Sequence, residues 1–375
     1  MQAAAAISQH PVAALAVGEL AGSILEQLNG VPIDLLAVFA DSSHTGAIDD
    51  VSSALRELLH PKVLIGTTAC GVIGQISEVE DAPAISVWAA SDIDASPLRI
   101  EPSAAEPTGG WPDRMGANVL LLADPFSTPV EQVFSSARAD GRSISIHGGL
   151  ASAGRGPGGN RLLLDGEIYT DGAVGVDLGH APVRSVVSQG CRPVGQPYTV
   201  TGAHRNIITE LASQRPLDVL ETIARGVSPD DQRLLSGGVH VGLAFDETQV
   251  EAYDRGDFLI REVKGADRGS GAIAIGAEVQ LGTTVQFQIR DAGSASEDLA
   301  AMLSDVDGGS ITAALTFTCN GRGERLFGRT GHDAEMVHGI TGSMATAGMF
   351  CAGEFGPIGN DNHVHGFTAS TLLFD

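Results

Sequence analysis

Short, fully apolar runs that break into glycine recur along this chain, and they constrain its fold more than any other feature. Ile33 to Ala40 is one such run. Val63 to Ile65 is another, and it opens into Gly66-Thr67-Thr68-Ala69-Cys70-Gly71-Val72-Ile73-Gly74. Between the two, Asp49 to Leu59 has the apolar spacing of a helix, with Pro61 just past its end. A run without polar alternation is a strand buried on both faces, and strand, helix, strand with short joins sets two strands parallel. Towards the far end the pattern returns as Thr316-Phe317-Thr318-Cys319-Asn320-Gly321-Arg322-Gly323 and as Gly348-Met349-Phe350-Cys351-Ala352-Gly353-Glu354-Phe355-Gly356-Pro357. A strand that runs out into glycine lets the backbone bend and approach whatever lies beyond the strand end. Open α/β sheets hold their ligands there.

Gly66, Gly71 and Gly74 share the spacing GxxxxGxxG with Gly348, Gly353 and Gly356. Each set follows an apolar strand with a phenylalanine near its end (Phe39, Phe317) and then a helical stretch. The chain therefore reads as α/β (mixed α+β), with two related halves, each a mixed sheet flanked by helices. The halves would form a pseudo-two-fold duplicated layered sandwich. A join near residue 215 gives domains 1–215 and 216–375. On this alignment Glu354 falls where the first copy has Val72.

The remaining elements follow the same logic. Leu20, Ile24 and Leu28 mark one face of a helix that stops near Gly30. Ala84 to Ala90 and Asn118 to Ala123 are buried strands, Val130 to Ala139 is a helix, and Ser143 to Ile146 feeds into His147-Gly148-Gly149. Pro102 to Asp113 reads as an exposed loop. Gly154, Gly156 and Gly159 satisfy GxGxxG, but Pro157 lies inside and a hairpin turning at Asp165-Gly166 follows where a nucleotide site needs a helix. That stretch reads as a surface loop. Pro216 to Ala224 is helical, while His240–Phe245, Phe258–Val263 and Thr284–Ile289 form an antiparallel set. Glu297 to Leu303 is a helix capped by Ser294 or Ser296.

Composition narrows the function classes. Hydrophobic residues make up 43% and charged residues 18%, the balance of a folded globular chain. A formal net charge of -24 repels phosphate backbones and anionic lipid, so neither nucleic acid nor membrane is expected as a partner. Four scattered cysteines without a CxxC pair, no basic leader in MQAAAAISQH and no apolar run of membrane-spanning length point to a reduced, cytoplasmic protein.

Six strings occur in order: IGTTACG, HGGLAS, SQGCRPVG, FTCNGRG, AGEFGP and HGFTAS. Together they resemble the FIST family, a bacterial sensory module with N-terminal and C-terminal halves, over most of the chain. The resemblance implies a non-enzymatic signal-transduction protein that senses a small molecule. Members are often fused to signalling domains; here the output is expected to pass to a separate signalling partner protein. Some members resemble haem-dependent sensors, and haem enters only through that resemblance.

The residues expected at the ligand are Cys319, Asn320, Gly321, Arg322, Gly323, Gly353, Glu354, His365 and Thr368. A planar guanidinium at one strand end and a carboxylate at another suit a small anionic or zwitterionic ligand. Arg322 and Glu354 also admit a structural reading, as a buried ion pair fixing two strand ends. The alternative function is a hydrolase or transferase with Cys319 as nucleophile and His365 as base. No catalytic residue is assigned, because the sequence shows no acid to orient the histidine. His363 and His365 put two imidazoles on one strand face, but no third ligand is secured, so no metal site is assigned.

Overall fold

The computed structural model describes every residue except 103–110, 113–114, 139–142, 246–252, 254, 307–310 and 343. The exposed loop expected from Pro102 to Asp113 falls mostly outside the described residues. The chain forms two compact units: Met1–Ser188 with Leu299–Val364 and Thr368–Asp375, and Gln189–Asp298 with His365–Phe367.

The first unit begins with β1 (Ala3–Ser8), α1 (Ala13–Leu28), β2 (Leu35–Asp41), α2 (Ile48–Leu59), β3 (Val63–Ala69), β4 (Gly71–Gly74), β5 (Ser77–Glu80) and β6 (Ile85–Ala90). It continues with β7 (Ser96–Ile100), β8 (Asn118–Ala123), α3 (Val130–Ser136), β9 (Ser145–Leu150), β10 (Leu162–Leu164), β11 (Glu167–Tyr169), β12 (Ala173–Asp177) and β13 (Val183–Gln189). The second unit is built from β14 (Cys191–Pro193), β15 (Tyr198–His204), β16 (Ile207–Leu211), α4 (Pro216–Gly226), α5 (Pro229–Ser236), β17 (Val239–Ala244), β18 (Phe258–Ala266), β19 (Ile273–Ile275) and β20 (Thr284–Arg290). Beyond it lie α6 (Ala292–Ser304), β21 (Ala313–Cys319), α7 (Glu324–Phe327), α8 (His332–Thr341), β22 (Thr346–Cys351), β23 (Glu354–Ile358), β24 (Asp361–His365) and β25 (Thr368–Phe374). Asp291, whose carboxylate accepts from the Ser294 amide at 3.1 Å, caps α6 in place of the expected serines.

The strand-and-glycine unit expected in two copies, one in each half of the chain, occurs in three, and all three lie in the first unit. Three six-stranded sheets run β1-β6-β2-β3-β10-β11, β7-β12-β8-β9-β23-β24 and β13-β25-β21-β22-β4-β5. Each has a parallel pair at its heart (β2 with β3, β8 with β9, β21 with β22), joined through helix. In each, an antiparallel strand returns beside the first member of the pair. The hairpin that follows each pair crosses to a neighbouring sheet. After β3, β4–β5 pairs with β22; after β22, β23–β24 pairs with β9; after β9, β10–β11 pairs with β3.

Register makes the equivalence residue by residue. Gly66, Gly148 and Gly348 lie opposite Val38, Leu121 and Thr316 on the parallel partner, and opposite Leu163, Phe355 and Ile73 on the crossing hairpin. A Cβ at any of the three would collide with the carbonyl oxygen of its parallel partner.

The inner faces of all three sheets share one core, with Phe39, Val72, Leu120, Leu162, Leu315, Phe317 and Met349 among its members. Phe39 and Phe317, at equivalent places in two repeats, meet edge to face at 6.0 Å. Outer faces are covered by α1 and α2, by α3, and by α6 with α8. The second unit is a closed antiparallel barrel in the order β17-β20-β15-β16-β19-β18, because β17 also pairs with β20; β14 extends the far edge of β20. Its interior holds an apolar cluster that includes Val200, Ile208, Val241, Ile273, Val285, Phe287 and Ile289.

Candidate functional site

At the end of β21 the Cys319 sulfur accepts the Gly321 amide at 3.5 Å. The equivalent strand ends carry aspartates that do the same: Asp41 accepts from Ser43 at 2.8 Å and Asp124 from Phe126 at 3.1 Å. This bond closes the turn that takes the chain off the strand. Cys319 is thus the third repeat's turn former, and it is almost fully buried.

The turn delivers Arg322 into the interior, where it is completely buried. Its Nε and Nη2 donate to the two oxygens of Asp333, each at 2.8 Å. Arg322 therefore pairs with an acid in the first turn of α8, eleven residues on, and the structure gives it no ion pair with Glu354. Thr318 and His332 also bond Asp333, at 2.6 and 2.8 Å. Burial alone would raise the Asp333 carboxyl, but the Arg322 charge and these bonds outweigh it and hold the group well below the usual carboxylate range. Phe327 stacks on His332 with ring centroids 3.4 Å apart, and the Arg322 guanidinium lies 5.2 Å from the Phe327 ring. Glu78, from the crossing hairpin, caps α8 by accepting the Asp333, Ala334 and Gly331 amides at 2.8, 2.9 and 3.1 Å. Its pKa is nevertheless raised to about 7, first by burial and then by the Asp333 charge.

Glu354 is also completely buried. Its Oε2 accepts from the Thr368 hydroxyl at 2.6 Å and amide at 3.2 Å, the Cys319 thiol stands close by, and Oε1 makes no regular hydrogen bond among the described residues. Burial pushes its pKa up to about 8 against the pull of Thr368, Arg322 and Cys319, so the acid is mostly protonated at neutral pH. By register Glu354 (opposite Gly149) is equivalent to Val72 (opposite Met349) and Leu162 (opposite Thr67). Two repeats fill this position with aliphatic side chains; the third fills it with an acid.

The other expected residues separate. Thr368 holds Glu354, as above. Gly353 accepts the Leu150 amide at 2.8 Å. Gly323 is buried, with φ +59 and Glu80 packed where a side chain would stand. Gly321 is half-buried and Asn320 exposed. His365 is buried and belongs to the second unit. The structure brings Cys319, Arg322, Glu354 and Thr368 into one region and leaves Asn320 at its surface.

At the same end of the parallel strands the first unit opens a polar cleft of about 430 Å³. All three repeats contribute: Asp41 and Ser42 after β2, Cys70 after β3, Ser152 and Arg155 after β9, and Arg325 on α7, with Asp81 on the rim. Glu80 accepts the Glu324 amide at 2.8 Å and so fixes the start of the turn that carries Arg325. Ser152 accepts the Cys70 amide at 2.9 Å and donates to the Phe350 carbonyl, joining the three strand ends beneath the cleft. Arg155 and Arg325 are exposed, and among the described residues neither makes an ion pair or a side-chain hydrogen bond. Cys70 is half-buried, and burial raises its thiol. The cleft has polar walls, no histidine among its lining residues, and as its one thiol Cys70, whose ligating thiolate form burial disfavours, so its residues do not fit a haem. Among the described residues no group of three or more His, Cys, Asp or Glu could hold a metal ion.

Asp333, Arg155 and Arg325 are what sequence reasoning missed. Arg325 lies three residues beyond Arg322, so the glycine-rich string pointed to the right neighbourhood. Arg155 lies within the GxGxxG stretch that reads as a surface loop.

Comparison with known proteins agrees with these motifs. The FIST N domain model matches residues 34–214 and the FIST C domain model residues 216–357. An uncharacterized protein of Mycobacterium tuberculosis is 41% identical over 382 residues, covering all of both chains. An uncharacterized protein of Mycobacterium bovis is 40% identical, covering all of this chain and 99% of its own.

Proposed function

The chain belongs to the FIST family, and on that premise we propose that it is a non-enzymatic sensory protein whose small anionic or zwitterionic ligand binds in the polar cleft of the first unit. One observation carries this reading. Arg155 and Arg325, which make no ion pair or side-chain hydrogen bond among the described residues, stand in a cleft formed by strand ends of all three repeats, with Asp41 and Asp81 beside them. A cleft of this volume suits a small molecule, and paired opposite charges suit a ligand that carries both. Arg322, Asp333 and Glu80 act beneath it as the frame that positions Arg325. The turn-forming role of Cys319 supports binding over nucleophilic catalysis, since the same bond is made by aspartate in the other two repeats. Output would pass to a separate signalling partner protein.

Native mass spectrometry identifies any co-purified molecule, and calorimetric titration against a panel of small carboxylates, phosphates and zwitterions finds the class. Arg325→Ala should weaken the best binder by about tenfold or more, the loss of one charge-assisted contact, with the thermal transition unchanged. A binder whose affinity ignores both Arg325→Ala and Arg155→Ala would remove the cleft from the reading.

A further inference from the structure

The barrel of the second unit carries polar side chains that its fold does not explain. Along β17 and β20, Val241, Val285, Phe287 and Ile289 point into the apolar interior. The alternate positions, His240, Gln286, Gln288 and Arg290, must therefore lie on the outer face. Outward-facing side chains are ordinarily solvated, yet His240 is 4% exposed and Gln288 1%. The two are directly opposite each other in register. Among the described residues, His240 Nδ1 and Gln288 Nε2 are both buried without a hydrogen-bond partner. Leaving one such group unsatisfied costs about 1–3 kcal/mol, so two side by side are not an incidental feature of packing.

The ring of Phe367 packs edge-on to the His240 imidazole, with centroids 4.1 Å apart, and the Arg290 guanidinium lies 5.2 Å from the same ring. Burial, then the Arg290 charge, lower the His240 pKa to about 4, so the imidazole is neutral at physiological pH and can carry its one proton on Nδ1. Gly242, two residues along the strand, keeps a side chain away from the Gln288 amide. A Cβ there would press on the Gln288 amide and on Phe258.

We propose that this outer face is a binding site for a small organic acid, with the carboxylate between Gln288 and His240 and the apolar part against Phe367. The groups that meet here are donors: a carboxamide NH2 and an imidazole able to place its proton on Nδ1, beside a guanidinium charge. A carboxylate accepts from both donors at once and is attracted by Arg290. A cation would meet Arg290 with like charge, and Glu262, opposite His240 on β18, is exposed to solvent. The site consists only of second-unit residues and does not rest on the cleft. It gives the protein a second ligand input.

Benzoate is the minimal probe, with a ring for Phe367 and a carboxylate, and benzamide is its uncharged counterpart. Imidazole NMR signals of the full chain would be followed during titration with each. Benzoate should shift the signal that is absent from His240→Asn, saturably, while benzamide shifts it weakly or not at all. Gln288→Glu, equal in size but repelling a carboxylate, should weaken benzoate by about tenfold or more, and Arg325→Ala should leave its affinity unchanged. An unmoved His240 signal, an equal response to benzamide, or binding lost in Arg325→Ala but kept in Gln288→Glu each overturns the proposal. Should Gln288→Glu fail to fold, the benzoate–benzamide contrast on the unmodified protein decides alone. Because Arg325 reports on the cleft and Gln288 on the barrel, failure of one site is distinguishable from failure of the other.

Discussion

Glu354 and its two equivalents separate one side chain from what the fold asks of its position. The same backbone position carries Val72 and Leu162 in the other repeats, both in the shared core, so the fold itself asks only for an aliphatic side chain. Keeping an acid there, buried and mostly protonated, with only Thr368 and the Cys319 thiol beside its carboxyl among the described residues, works against stability. Glu354→Leu should therefore leave stability within about 1 kcal/mol of the parent or raise it, since the loss at the Thr368 amide is offset by relieving the buried acid. Urea denaturation measures this directly, and a loss beyond about 2 kcal/mol would return Glu354 to a structural role. That Arg322 and Glu354 were special was legible from lone charges among glycines in buried strands. Their partners were not. Asp333 is eleven residues from Arg322 across a turn and a helix start, and only the entry of α8 decides that they meet.

At the scale of elements, most strands and helices were legible because their apolar runs are long and their ends are marked by glycine or proline. The repeat of β8 and β9 was not. The GxxxxGxxG spacing that links β3–β4 to β22–β23 is broken after β9 by the loop 151–161, which separates Gly148 from its own crossing hairpin. Register recovers what spacing hides, because Gly66, Gly148 and Gly348 all sit against a carbonyl of the parallel partner. Gly348→Ala should destabilise by about 3 kcal/mol or more, as the Cβ must push two paired strands apart. Gly18→Ala, on α1 with open space around its Cα, should stabilise by about 1 kcal/mol from helix propensity alone. Thermal melts of the two variants should move in opposite directions, and a shared direction would deny that close strand approach is what the glycine serves.

For the whole molecule, buried ionisable groups set an asymmetric dependence of stability on pH. His147 and His240 have pKa values lowered to about 4, chiefly by burial. The unfolded chain therefore binds their protons more readily, and stability from them rises with pH up to about the ordinary histidine value of ~6.5. Glu78 and Glu354 are displaced the other way, to about 7 and about 8, and the folded state holds their protons more tightly. Their contribution is fully present below the ordinary glutamate value of ~4.3 and is lost as pH rises through 7 and 8. The two pairs oppose each other between these limits, so stability should be nearly level from about pH 4.5 to 6.5. Above that only the glutamates act, and stability should fall by about 2–3 kcal/mol by pH 8, at about 1.4 kcal/mol per proton and pH unit. Glu354→Gln, which keeps the size but cannot ionise, should flatten the decline between pH 7 and 8 and tilt the level stretch, so that stability rises by about 1.4 kcal/mol per pH unit from about pH 4.5 to 6.5. Because a formal charge of -24 is screened by salt whereas a buried proton is not, the decline should survive in high salt. Denaturant midpoints measured across pH at two ionic strengths separate these terms, and a decline abolished by salt would assign the effect to surface repulsion.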